Sequence, residues 1–221
     1  MGFSDCGVEG KFLRITLAFV LAVVALFTVA CSVEVNTDSD SGEPSATVTR
    51  SDEQRELSVY LAQMQGIHRR LNAMTTSARR LDWDRLEMPE LADNEDMRWP
   101  HANPDTKYGL AYINTESRLI AACQSLAAQS EAVLAPRSLK AAHLGFVKYL
   151  RAKAAWYEED LRAVMAPSLR YKDLRGFFRA NDRLMRAFVK YNTWLETTRS
   201  LAEDLDVTVP RVLKKARLIA S

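Results

Sequence analysis

Leu57, Tyr60, Met64, Ile67, Leu71, Met74, Ala78 and Leu81 recur at alternating spacings of three and four residues. A strand cannot gather such a set on one face, because its side chains alternate with a period of two. A helix can, and four repeats of the pattern predict a helix of about 30 residues packed against partners. Its start is predicted at Ser51, an N-cap residue with Gln54 three positions later to complete a capping box. Asp52 and Glu53 suit the positive end of the helix dipole.

Three more amphipathic segments follow. The second helix is expected within Asp105 to Leu134, with Tyr112, Ile113, Leu119, Ile120, Cys123, Leu126, Ala127, Val133 and Leu134 on its apolar side. Pro136 is placed to open a third helix, in which Leu139, His143, Phe146, Leu150, Tyr157 and Leu161 keep helical spacing to an end near Met165-Ala166-Pro167. A fourth spans about Ser168 to Asp204, with a stripe of Leu174, Phe177, Asn181, Leu184, Phe188, Tyr191 and Leu195. Asn181 interrupts that stripe and is a candidate for fixing helix register. The tail has Pro210 and a short basic amphipathic segment, which suits either a packed final turn or a surface arm. Glycine, at 8 residues, and proline, at 7, are scarce. Fold class is therefore all-α: an antiparallel four-helix bundle over 51–221, preceded by a signal or lipid-anchor segment and a disordered tether. The long loop, 82–104, carries Pro89, Pro100, Pro104, Trp83 and Trp99, and the tryptophans predict that it folds back on the helices.

Ahead of the bundle, Lys11 and Arg14 flank a run from Ile15 to Ala30 without a charge, the layout of a secretory signal. Phe27-Thr28-Val29-Ala30-Cys31 closes the run and resembles a bacterial lipobox, with Thr28 where that motif usually has Leu. The resemblance implies that residues 1–30 are a signal peptide, that cleavage falls between Ala30 and Cys31, and that Cys31 takes a diacylglyceryl group. Ser32 beside it would permit outer-membrane sorting in a two-membrane cell. An uncleaved anchor and a plain cleaved signal remain alternatives, since Ile15 to Val33 is about long enough to cross a bilayer. Residues 31–50 are rich in Ser, Thr, Asp and Glu and cannot bury enough apolar surface to fold alone. Lipobox, acidic tether and helical bundle together resemble small bacterial lipoproteins whose bundle has no assigned activity.

Charge grades along the chain. Residues 31–57 carry seven acids and two bases, whereas 136–221 carry nine acids and eighteen bases. Within the basic half, Arg175, Arg179, Arg183, Arg186 and Lys190 repeat every three or four residues and form one narrow stripe of the fourth helix. That stripe is a solvated outer face or a surface for anionic lipid headgroups or an acidic protein. Export argues against nucleic acid as the partner.

Motifs for chemistry are few. None of His68, His101 or His143 has Glu three residues before it, so the di-iron pattern of four-helix bundles is not expected. His101 with Asp105 offers at most a weak divalent-cation contact in a loop. No Gly-x-Ser-x-Gly elbow or phosphate-binding glycine loop occurs. Cys123 falls on an apolar side and reads as a buried, inert thiol, and His143 as a core or boundary histidine. The expectation is a non-enzymatic structural or interaction module at the cell envelope, with no cofactor or metal, held to the membrane facing outside the cytoplasm. A small-ligand sensor with a pocket beside the 82–104 loop is the alternative. A hydrolase or metalloenzyme using His101 is a third.

Overall fold

Four long helices carry the core. The computed structural model describes residues 49–78, 81, 85–87, 99–166 and 174–216, with the side chain of residue 77 excepted. Helix α1 spans Arg50–Ala78, α2 Lys107–Glu131, α3 Lys140–Val164, α4 Arg175–Asp204 and the short α5 Arg211–Lys214. A 3-10 turn, Arg137–Leu139, leads into α3 behind Pro136. Among the described residues the only β feature is an isolated bridge between Glu87 and His101. The described residues all fall in one compact unit, Thr47–Ser221. The signal segment with Ala30 and Cys31, the tether up to residue 48, Trp83, residues 88–98 and the Ser168–Asp173 start expected for the fourth helix lie outside the described residues.

Helix α1 buries the expected stripe. Leu57, Tyr60, Met64, Ile67, Leu71 and Met74 are buried, and Ala78 and Leu81 pack against them. Its cap differs from the sequence expectation. Thr49, not Ser51, caps the helix: its Oγ1 accepts from the Asp52 amide at 3.3 Å, and Asp52 Oδ2 accepts from the Thr49 amide at 3.3 Å and hydroxyl at 2.6 Å. This is a reciprocal box two residues earlier than Ser51–Gln54. The Thr49 bonds hold the Asp52 carboxyl below its ordinary range. Gln54 is used elsewhere: its amide donates to the Leu205 carbonyl at 2.6 Å, while Arg50 donates to the Asp204 carbonyl at 2.9 Å. The start of α1 thus supplies donors that the last carbonyls of α4 lack. Further along, Tyr60 meets Trp194 and His68 meets Tyr191, so numbers fall along α4 as they rise along α1.

Helix α4 ends in a Schellman turn. Val207 donates to the Ala202 carbonyl at 2.7 Å and Asp206 to Glu203 at 3.1 Å, with Asp206 in the left-handed region at φ 54°. Beyond it the described residues up to 216 pack against the core. Leu213 is fully buried, and the Arg199 guanidinium donates to the carbonyls of Leu213, Lys214 and Ala216 at 2.6, 3.1 and 2.6 Å.

Two further sequence expectations need correction. Leu134, placed on the apolar side of the second helix, is 91% exposed in the turn after α2. On α4 the buried residues are Ala180, Leu184, Ala187, Tyr191, Trp194, Leu195, Thr198 and Ala202; Leu184, Tyr191 and Leu195 of the expected stripe are among them, whereas Asn181 is only half-buried at the edge. Neighbouring helices cover an arc of α4 partly rotated from the stripe of large apolar residues, and Trp194 is its largest fully buried side chain. The described part of the long loop does turn inward. Leu86 and Ala102 are buried with Tyr112 and Val164, and the Trp99 ring meets Phe177 edge-on at 5.0 Å.

Candidate functional site

The outer face of α4 is the part of the bundle shaped for contact. Arg175, Arg179, Arg183, Arg186 and Lys190 are all exposed. The helix period alone brings them into line, and the buried Ala180, Leu184, Ala187 and Tyr191 turn that line to solvent. Ion pairs occur elsewhere in the described residues. Arg151 pairs with Glu131 and Arg162 with Glu159, both at 2.6 Å, but none of the five α4 bases is in an ion pair among the described residues. Arg162 takes Glu159 through two nitrogens, at 2.8 and 2.6 Å, which keeps that carboxylate from the bases across the groove. Gly176 allows the close approach: a Cβ there would stand 2.5 Å from Glu159 Oε2.

The bases border two surface grooves. One, of about 390 Å³, is lined by Glu159, Gly176, Arg179, Asp182, Arg183 and Arg186. The other, of about 570 Å³, lies between α3 and α4, with Ala141, Leu144 and Gly145 in its wall and Lys148 and Lys190 beside them. Leu144, Met185 and Val189 are large apolar residues that remain exposed, at 47%, 40% and 54%. Val189 lies three residues from Arg186 and therefore flanks the basic line. A third groove, of about 300 Å³ between α2 and α3, includes Glu131, Arg151 and Glu158. None of the three is lined by residues of the 82–104 loop, where the sequence places a sensor pocket.

The histidines are all held by structural bonds. His143 Nε2–H donates to the Ser130 carbonyl at 2.8 Å, so its Nδ1 is the acceptor for the Tyr60 hydroxyl at 3.0 Å. Trp194 Nε1–H in turn donates to Tyr60 Oη at 2.7 Å. Burial pushes the His143 ring below its ordinary range. His68 bonds the Tyr191 hydroxyl at 2.9 Å; burial first, then the Arg199 charge, lowers it to about 4. His101 Nδ1–H donates to the Val164 carbonyl at 3.0 Å, beside the Ala102 amide that bonds the same carbonyl at 2.7 Å. Asp105 is exposed, and its amide donates to Asn103 Oδ1 at 3.0 Å. No group of three or more metal-ligating side chains occurs among the described residues. Cys123 is free and fully buried. Its thiol donates to Met74 Sδ at 3.4 Å, and burial pushes it up to about 12.

Sequence reasoning missed two carboxylates that point inward, Glu116 on α2 and Asp160 on α3, each 1% exposed. The signal was present. Tyr112, Glu116, Leu119, Cys123, Leu126 and Ser130 follow the same alternation of three and four as the α1 stripe, so Glu116 occupies a core position.

The chain matches no protein family, no curated protein and no solved structure. Among the described residues no helix is long and apolar enough to cross a membrane.

Proposed function

We propose that this chain is an envelope lipoprotein whose helical module docks on an anionic lipid surface through the outer face of α4. The observation that carries this reading is the row of five exposed bases Arg175, Arg179, Arg183, Arg186 and Lys190, none of them in an ion pair among the described residues. A base near an anionic bilayer surface contributes roughly 1 kcal/mol, falling away within a Debye length. Five in line, flanked by exposed Leu144, Met185 and Val189, resemble an interfacial surface, in which a charged row binds headgroups and apolar tips enter the boundary. The lipidated Cys31 and the tether 31–50 would hold the module close to such a surface, and an antiparallel four-helix arrangement would present α4 along its whole length. In this reading the protein is non-enzymatic and binds neither cofactor nor nucleic acid. An acidic protein docking on the same row is an outcome of the test rather than a second proposal.

The test uses residues 47–221, the compact unit, with sedimentation against vesicles of neutral lipid or of neutral lipid with about one third anionic lipid. Binding to the anionic vesicles alone is expected, falling steeply with salt. A variant with Arg179, Arg183, Arg186 and Lys190 changed to Gln should lose it at unchanged helicity. Equal sedimentation of that variant, or none of the wild type at low salt, sinks the proposal.

A further inference from the structure

Glu116 on α2 and Asp160 on α3 are both buried, near enough for the Asp160 charge to act on Glu116, with too few partners for two buried charges. Glu116 Oε2 and Asp160 Oδ1 are both buried without a hydrogen-bond partner. The Tyr112 hydroxyl donates to Asp160 Oδ2 at 2.8 Å. No base pairs with either acid among the described residues. Two carboxylates in such a place cannot both stay charged cheaply, because burial penalises each charge and each charge penalises the other. The Tyr112 bond decides which acid ionises first: it favours the charged form of Asp160, and so leaves the neutral form to Glu116.

We propose that Glu116 and Asp160 form a proton-binding site between α2 and α3, holding one proton between them at neutral pH, whose loss loosens the packing of these two helices. The proton resides on the Glu116 carboxyl and leaves to solvent, so its departure puts two negative charges between the helices. The groups that face the pair support this assignment. From α2 they are Tyr112 and Cys123, and from α3 Tyr157, all neutral in the ordinary range and all pushed upward by burial. The base in this neighbourhood, Lys153, is turned to the rings of Tyr149 and Tyr157, with its ammonium 5.8 and 5.7 Å from their centroids. The loop contributes His101, whose Nδ1–H is bonded to the Val164 carbonyl at 3.0 Å, one turn beyond Asp160. Helix α1 reaches this layer with Met74, which carries no charge. Burial, then the Asp160 charge, raises Glu116 to about 8; burial raises Asp160 to about 6 against the Tyr112 bond.

The experiment is a carboxyl-carbon NMR titration of the full chain in detergent, labelled at Glu and Asp, alongside melting curves from pH 6 to 9. The Glu116 signal is expected to titrate above neutrality. In D160N its midpoint should fall, a coupling that mere support of the fold would not produce. The melting temperature of the wild type should drop between pH 6.5 and 9, whereas E116Q stays level and melts higher than wild type at pH 9. Should E116Q fold poorly, the D160N shift still decides. Titration of Glu116 in the ordinary glutamate range, or equal pH slopes in wild type and E116Q, would overturn the proposal. So would restoration of the pH 9 melting temperature by millimolar calcium or magnesium with movement of both signals, since the site would then hold a metal ion instead.

Discussion

Tyr60 is the residue on which the polar interior depends. Its single hydroxyl accepts from Trp194 Nε1–H and donates to His143 Nδ1, and it is 1% exposed. Tyr60→Phe keeps the ring and strands both partners, so it is expected to cost about 1–3 kcal/mol in urea denaturation, the range for unpaired buried polar groups. A loss below a few tenths would mean that water takes the place of the hydroxyl. The sequence showed half of this cluster. His143 on an apolar side was legible as a core histidine, and Tyr60 as a stripe residue. Their bond was not, because 83 positions separate them and no local spacing encodes a contact between helices. Trp194 escaped for a related reason: it sits one residue before Leu195, outside the stripe spaced at three and four, yet both side chains are fully buried.

At the scale of the helix, ends and close approaches decide more than the apolar stripe. Thr49 caps α1, so Thr49→Ala should cost about 1 kcal/mol, while Ser51→Ala, exposed within the first turn, should stay within about 0.5 kcal/mol. Thermal melts of the two single variants separate the alternatives, and the reverse order would return the cap to Ser51. Both Thr49-x-x-Asp52 and Ser51-x-x-Gln54 have the form of a capping box. Local pattern could not choose between them, since what draws Gln54 away is the Leu205 carbonyl at the end of another helix. At the head of α2, Gly109 lies against the Asn103 backbone and its amide donates to the capping Thr106 hydroxyl at 3.0 Å. A methyl group there has no room. Gly109→Ala is expected to lose about 1–3 kcal/mol as overpacking, measured by the urea midpoint. The stripe of α1, by contrast, was readable position by position, because one long face against several partners leaves little choice of rotation. Helix α4 was readable in its end at Asp204 but only partly in rotation: small Ala180, Ala187 and Ala202 face inward, while larger Phe177 and Phe188 stay at the margin.

For the whole molecule, the interior holds two sets of groups that respond to acid in opposite senses. His68, lowered to about 4, and His143, also lowered, bind protons more weakly folded than unfolded. They remove stability as pH falls below the ordinary histidine range near 6.5. Glu116, raised to about 8, and Asp160, raised to about 6, bind protons more tightly when folded. They remove stability as pH rises from the ordinary carboxyl range to those values. The two effects oppose each other between about pH 4.5 and 6. Melting temperature should therefore be nearly level there and decline from about pH 6.5 to 8, which circular dichroism melts will show. A steady rise through that second interval would mean the acids are paired in solution. The outer surface is as uneven as the interior: the bases gather toward the carboxyl half, and this asymmetry, unlike the buried acids, was visible from counting alone.

The seat of Cys123 has a practical consequence. With its sulfur fully covered and its hydrogen turned to Met74, no reagent reaches it while the helices stay together. In a chain with Cys6 and Cys31 replaced by Ser, it is the sole thiol, and its alkylation becomes a clock. Under fast reagent the rate equals the frequency with which the interior opens, and under slow reagent it reports the open fraction. The molecule thus carries its own stopwatch for the motions that part its helices.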